Sequence, residues 1–365
     1  MNLSKTKLSM ALVGGVGLTL SVGFSASAAT FTPEPLFTEV QNYQTTIPAN
    51  GDLADVYFPV LSESINSNSS LPIALLLQGS NVDKSNYSQF ASIVASYGFV
   101  VVVPNHQNDV FAPFGIPTGL FSEQSQVNDV LGYMKAENSN PASPIFSLID
   151  TNKMVLLGHS YGGFAGLYAI EGSCVPPFCL DGFTRPPELL GGAFYGSALS
   201  QSNIEGITPT INNDGLPVGI LAGDLDGLTP INAIKKTYDQ IQQSPKFFVS
   251  VTGANHYSIT NTNQPFASVP DPIPATLNQD LALETIARWS ALFLRGYALE
   301  DSHALEYVNN IGDELDENVT VNSQVKTVPE NSSIWGLFII VIVSLYKKKI
   351  SRVSASQKLQ HISGK

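Results

Sequence analysis

The residues able to do chemistry in this 365-residue chain converge on one serine. Gly158-His159-Ser160-Tyr161-Gly162-Gly163 follows the apolar run Met154-Val155-Leu156-Leu157 directly. It precedes Phe164-Ala165-Gly166-Leu167-Tyr168-Ala169-Ile170, whose apolar residues continue at helix-compatible spacing. A strand, a sharp turn carrying serine and then a helix is the context in which Gly-x-Ser-x-Gly forms a nucleophile elbow. The flanking glycines fit that reading, because a strained serine backbone leaves no room for β-carbons beside it. The same letters also suit a glycine-rich turn that only packs closely, so the order of the catalytic partners decides.

A serine nucleophile needs a base to take its proton and an acid to orient that base. After such an elbow they follow as acid, then histidine, each at the C-terminal end of a strand. Of five histidines, only His256, His303 and His361 lie well beyond Ser160. His361 is near the C-terminus, and His303 falls in an acidic helical stretch that suits a solvated face. His256 stands just past the apolar run Phe247–Val251, which makes it the expected base. The acid should follow the run Val218–Leu221, where Asp224 and Asp226 are both candidates; Asp226-Gly227 also suits an ordinary turn. The oxyanion of ester attack needs two backbone donors. Tyr161, immediately after the nucleophile at a helix N-terminus, supplies one. The loop Gln78-Gly79-Ser80-Asn81 supplies the other, with Ser80 the expected donor. His106 ends another strand and is expected to line the wall of the same cleft.

The elements that must hold these residues alternate along the chain. Strands are predicted at Ile73–Leu77, Phe99–Val103, Met154–Leu157, Ala193–Tyr195, Val218–Leu221 and Phe247–Val251. Helices are predicted at Tyr87–Tyr97, Gln124–Lys135 and Leu281–Leu299, the last with Ile286, Trp289 and Phe293 at helical spacing. Strands separated by helices imply a mostly parallel sheet with helices on both faces. Residues 31–60 are expected to add antiparallel edge strands, with residues 54–58 the clearest, and 62–70 a Ser/Asn-rich loop.

With these segments the chain resembles the α/β-hydrolase fold, in the branch holding chlorophyllases, platelet-activating-factor acetylhydrolase-like lipases and cutinase-type polyester hydrolases. The carrying segments are Leu71–Gly79, Tyr87–Pro104, Gly158–Gly163 and Gly223–Pro230, within a likeness over roughly residues 40–300. Gln78 stands where many members have His or Pro, and Tyr161 where plant chlorophyllases have Arg. The resemblance implies a serine carboxylic-ester hydrolase with Ser160, Asp226 and His256 as catalytic residues and Asp224 as a neighbour of the acid. It implies a hydrophobic ester as substrate (a chlorophyll phytyl ester, a lipid or a polyester) and no cofactor. The alternative is a catalytically silent binding protein on the same fold.

Composition and the chain ends bound the setting. Lys5 and Lys7, the apolar stretch Met10–Phe24 and Ala26-Ser27-Ala28 read as a signal peptide over residues 1–28. A catalytic domain is expected over 31–308 and an acidic polar linker over 309–333. Residues 334–349 combine an apolar run with Lys347-Lys348-Lys349, and a polar tail fills 350–365. Following Val328-Pro329-Glu330-Asn331, that run resembles a PEP-CTERM sorting tag; it equally suits an anchor helix associating with a membrane. Without the signal peptide and residues 330–365, the body carries 10 of the 18 basic and 29 of the 30 acidic side chains, a net of −19. Such a surface disfavours nucleic acid and anionic lipid and suits an exported protein. In that setting Cys174 and Cys179, the only cysteines, are expected to form a local disulfide, with two free thiols the alternative.

Overall fold

The computed structural model describes residues 34–61, 70–112, 115, 117–199 and 209–325. Every residue from Leu71 to Leu77 is buried, as an apolar run without polar alternation requires of a strand covered on both faces. This strand, β3, lies inside a nine-stranded sheet. The antiparallel pair β1 (Val40–Ile47) and β2 (Asp52–Pro59) forms one edge. Then come β4 (Val100–Asn105), β3, β7 (Ile149–His159), β8 (Leu189–Tyr195), β9 (Val218–Gly223) and β10 (Lys246–Val251), all mutually parallel. Two short strands, β5 (Gln107–Asn108) and β6 (Gly119–Leu120), pair in a separate ribbon. The chain runs from β3 outward to β4 and then back across β3 to β7. The carboxyl ends of β3 and β7 therefore flank a topological switch point, where an open α/β sheet forms its binding crevice.

Helices cover both faces. On one, α2 (Ser125–Ser139), α3 (Tyr161–Glu171) and α4 (Ile231–Gln240) bury Val130, Met134, Ile170 and Ile234 with Ile73, Leu75 and Leu156 of the sheet. On the other, α1 (Ser88–Ser96) packs against α5 (Gln279–Ala298). The Asn278 side chain accepts from the Asp280 and Leu281 N–H groups and so caps α5. Phe293 of α5 stacks on Phe247 of β10 with ring centroids 4.2 Å apart.

The stretch expected as a linker from Asn309 is instead part of the domain as far as Val325. After α6 (Ser302–Glu306), a π-helical turn and α7 (Gly312–Leu315), the strand β11 (Val319–Gln324) pairs antiparallel with β10, Val321 opposite Val249. Asp316 anchors the approach, accepting from Trp289 Nε1 at 3.0 Å and from Arg288 at 2.8 Å. The polar composition reflects an edge strand with only one covered face. The short α4 is likewise absent from the predicted elements. Among the described residues no helix is long and apolar enough to cross a membrane. Residues 1–28, 62–69 and 334–365, with the signal peptide, most of the Ser/Asn-rich loop, the apolar run, the tail and His361, lie outside the described residues.

Candidate active site

β7 ends at His159 and α3 begins at Tyr161, leaving Ser160 alone in the turn with φ 52° and ψ −118°. A non-glycine residue rarely adopts positive φ, and this strained backbone presents the side chain clear of both elements. Neighbouring groups hold it there. Ser160 N–H donates to Tyr195 O at 2.9 Å, and Ser160 O accepts from Gly163 N and Ser197 Oγ. A β-carbon at Gly158 would lie 2.8 Å from the Phe194 ring, and one at Gly162 would overlap the Leu77 carbonyl.

The other two residues arrive from the ends of β9 and β10. Asp226 is buried, and its Oδ1 accepts from the N–H groups of Leu228 and Thr229, fixing the turn. Its Oδ2 lies 2.8 Å from His256 Nδ1, and His256 Nε2 lies 2.9 Å from Ser160 Oγ. The three side chains form one continuous hydrogen-bonded line. Asp224 is exposed and accepts instead from Gly253 N–H at 2.7 Å, tying down the start of the histidine loop. His303 lies exposed on α6.

A cavity of about 250 Å³ opens at the serine, lined by Ser80, Ser160 and His256 with Val82, Leu228 and Val269. The amides on either side of Ser80 are engaged, Gly79 N–H with Tyr87 Oη and Asn81 N–H with Leu120 O. Across the elbow, the Tyr161 ring packs edge-on against both Phe111 and Phe121, and its centroid lies 4.8 Å from that of Phe178. Phe178 belongs to the loop closed by the disulfide Cys174–Cys179.

Two histidines take positions that sequence reasoning did not supply. His106 does not line this cavity. Its Nδ1 lies 3.0 Å from Asp52 and its Nε2 3.6 Å from Glu123, and it lines a separate cavity of about 450 Å³ with Asn108 and Leu180. Burial lowers its pKa, but hydrogen bonds to Asp52 and Glu123 outweigh that and raise it to about 9. His159, in contrast, is buried beneath the site. Its Nε2 lies 2.9 Å from the His256 carbonyl, so Nε2 carries the proton and donates. Its Nδ1 accepts from Tyr87 Oη, which itself accepts from Gly79 N–H. Burial and the nearby His256 push the His159 pKa well below its ordinary value, which keeps it neutral. His159 thus ties the Ser80 loop, the elbow and the histidine loop together. Its place directly before the serine was the one signal in the sequence. Among the described residues no group of three His, Cys, Asp or Glu side chains is placed to hold a metal ion.

Residues 38–171 match the model of the Chlorophyllase family. The matched span includes the Ser80 loop and Ser160 and ends before the loops of Asp226 and His256. No curated protein matches the chain. Its parallel sheet and covering helices, with this match, give the chain an α/β-hydrolase-type fold, and residues 38–171 are similar to the Chlorophyllase family.

Proposed function

We propose that the protein is a serine carboxylic-ester hydrolase that works through an acyl-enzyme on Ser160. The observation that carries this reading is the unbroken line from Asp226 Oδ2 through His256 to Ser160 Oγ, with contacts of 2.8 and 2.9 Å. His256 Nε2 takes the proton from Ser160 Oγ as the oxygen bonds to the ester carbonyl carbon. The carbonyl oxygen becomes an oxyanion that the N–H groups of Ser80 and Tyr161 receive. As the tetrahedral centre collapses, His256 returns the proton to the departing alcohol oxygen. Water then attacks the acyl-serine with His256 again as base, releasing the acid and restoring Ser160. Asp226 holds the proton on Nδ1 throughout and stabilises the imidazolium. The apolar walls at Val82, Leu228 and Val269 suit a hydrophobic ester. Lipid, polyester and chlorophyll phytyl esters are the classes to compare. A silent binding protein would have no use for three aligned groups and a strained serine.

The test is hydrolysis of short p-nitrophenyl esters by purified wild type and Ser160→Ala. Loss of a serine nucleophile lowers turnover by up to about a million-fold. Wild-type turnover in the variant would refute the reading. The setting we propose is the cell envelope, reached by export through residues 1–28 and held or sorted through residues 334–349.

A further inference from the structure

Asp271 belongs to a strap, residues 265–277, that crosses the loop carrying His256. Tyr257 Oη donates to Val269 O, Asn255 Nδ2 to Ile273 O, and the N–H groups of Thr276 and Leu277 both reach Gly253 O. In the middle, Asp271 Oδ2 accepts from His256 N–H at 2.8 Å. The same carboxylate accepts from Gly227 N–H at 3.1 and 3.3 Å and from Ile273 N–H at 2.8 Å. Gly227 directly follows Asp226, so one side chain grips the backbone beside the acid and the backbone of the base. The fit is close, since a β-carbon at Gly227 would lie 2.9 Å from both Pro272 and Ile273.

We infer that Asp271 is a positioning residue, a carboxylate clamp that holds the Asp226 and His256 loops in register for proton transfer. The inference rests on the ester-hydrolase reading above. The two loops leave neighbouring strands and are tied at their bases by Leu225 N–H to Ala254 O and Gly253 N–H to Asp224, whereas Asp271 joins them beyond those ties, at Gly227 and at His256 itself. A displacement of the backbone at either of these two points changes the Nδ1···Oδ2 and Nε2···Oγ distances. Backbone N–H groups bound to an ionised carboxylate are held more firmly than by a neutral acceptor. Asp271 itself touches none of the reacting atoms. Its removal should lower turnover and leave ester binding in the cavity alone.

The experiment compares Asp271→Asn with Ile273→Ala, which trims the strap but keeps the carboxylate. An asparagine keeps one acceptor for Ile273 or Gly227 and turns an NH2 toward the His256 N–H. In Asp271→Asn we expect kcat to fall about ten- to a hundred-fold at unchanged KM and nearly unchanged melting temperature. Ile273→Ala should keep wild-type kcat. In proton NMR, the far-downfield resonance of the proton between His256 Nδ1 and Asp226 should broaden or vanish in Asp271→Asn. Unchanged kcat and resonance in a folded Asp271→Asn, or a loss confined to KM, would overturn the clamp. If Asp271→Asn does not fold, Asp271→Ser is measured in the same way, and wild-type turnover in it overturns the clamp equally. If wild type hydrolyses no ester, the ester-hydrolase reading fails, and the resonance alone decides the role of Asp271.

Discussion

At the scale of single residues, two aspartates two positions apart have sharply different surroundings. Asp226 is buried against His256, whereas Asp224 is exposed and bonds only the backbone of the histidine loop. Asp226→Asn should preserve the fold but allow the wrong His256 tautomer, lowering kcat by up to about ten-thousand-fold. Asp224→Asn should lower it far less. Steady-state kinetics on both variants checks this, and the opposite ranking would transfer the orienting role to Asp224. Ser160, His256 and the two candidate acids were legible in the sequence because each follows an apolar run at a strand end. Asp271 was not, because its partners are 15 and 44 residues away and its own segment has no periodicity. His106 was misplaced for a related reason. A strand end predicts the edge of the sheet's crevice, but the buried carboxyl group of Asp52 and the half-buried one of Glu123 draw the imidazole into a neighbouring cavity.

At the scale of elements, the runs that are apolar without interruption (β3, β4, the elbow strand, β9 and β10) could be read directly, because both faces of the sheet are covered. β11 could not, since an edge strand buries too few apolar residues to show an alternation, and α4 spaces Ile231, Ile234 and Tyr238 at helical intervals but is short and otherwise polar. The His106 cluster joins β2, β4 and the segment before α2, and its contribution should depend on pH. With its folded pKa raised from 6.5 to about 9, His106 stabilises the fold fully below about pH 6.5. That contribution is lost as pH rises through about 9. Glu123 is held below its ordinary 4.5, chiefly by its hydrogen bond to His106, and its contribution is lost as pH falls below that value. Urea midpoints between pH 6 and 10 should therefore drop more steeply for wild type than for His106→Asn. Parallel curves would contradict the charged cluster. The loop closed by Cys174–Cys179 is short, with a separation of five residues, so its cross-link removes only about 2 kcal/mol of entropy from the unfolded chain. The native protein should not react with thiol reagents until it is reduced, and immediate labelling would contradict the disulfide.

At the scale of the whole molecule, an acidic body of net −19 lies between two termini that read as addresses. Fractionation with mass spectrometry of the mature ends should find an envelope protein that has lost residues 1–28, either anchored or cut near Val328–Asn331. A cytoplasmic product that keeps Met1 and residues 350–365 would refute both forms. Wherever the protein resides, the account depends on Ser160 becoming covalently acylated. The most direct measurement treats the full-length protein with a fluorophosphonate ester analogue and maps the adduct by peptide mass spectrometry while following ester turnover. One adduct is expected, on Ser160, forming in step with loss of activity and absent from Ser160→Ala. Continued ester hydrolysis with Ser160 unmodified, or inactivation by an adduct on another residue, would contradict it.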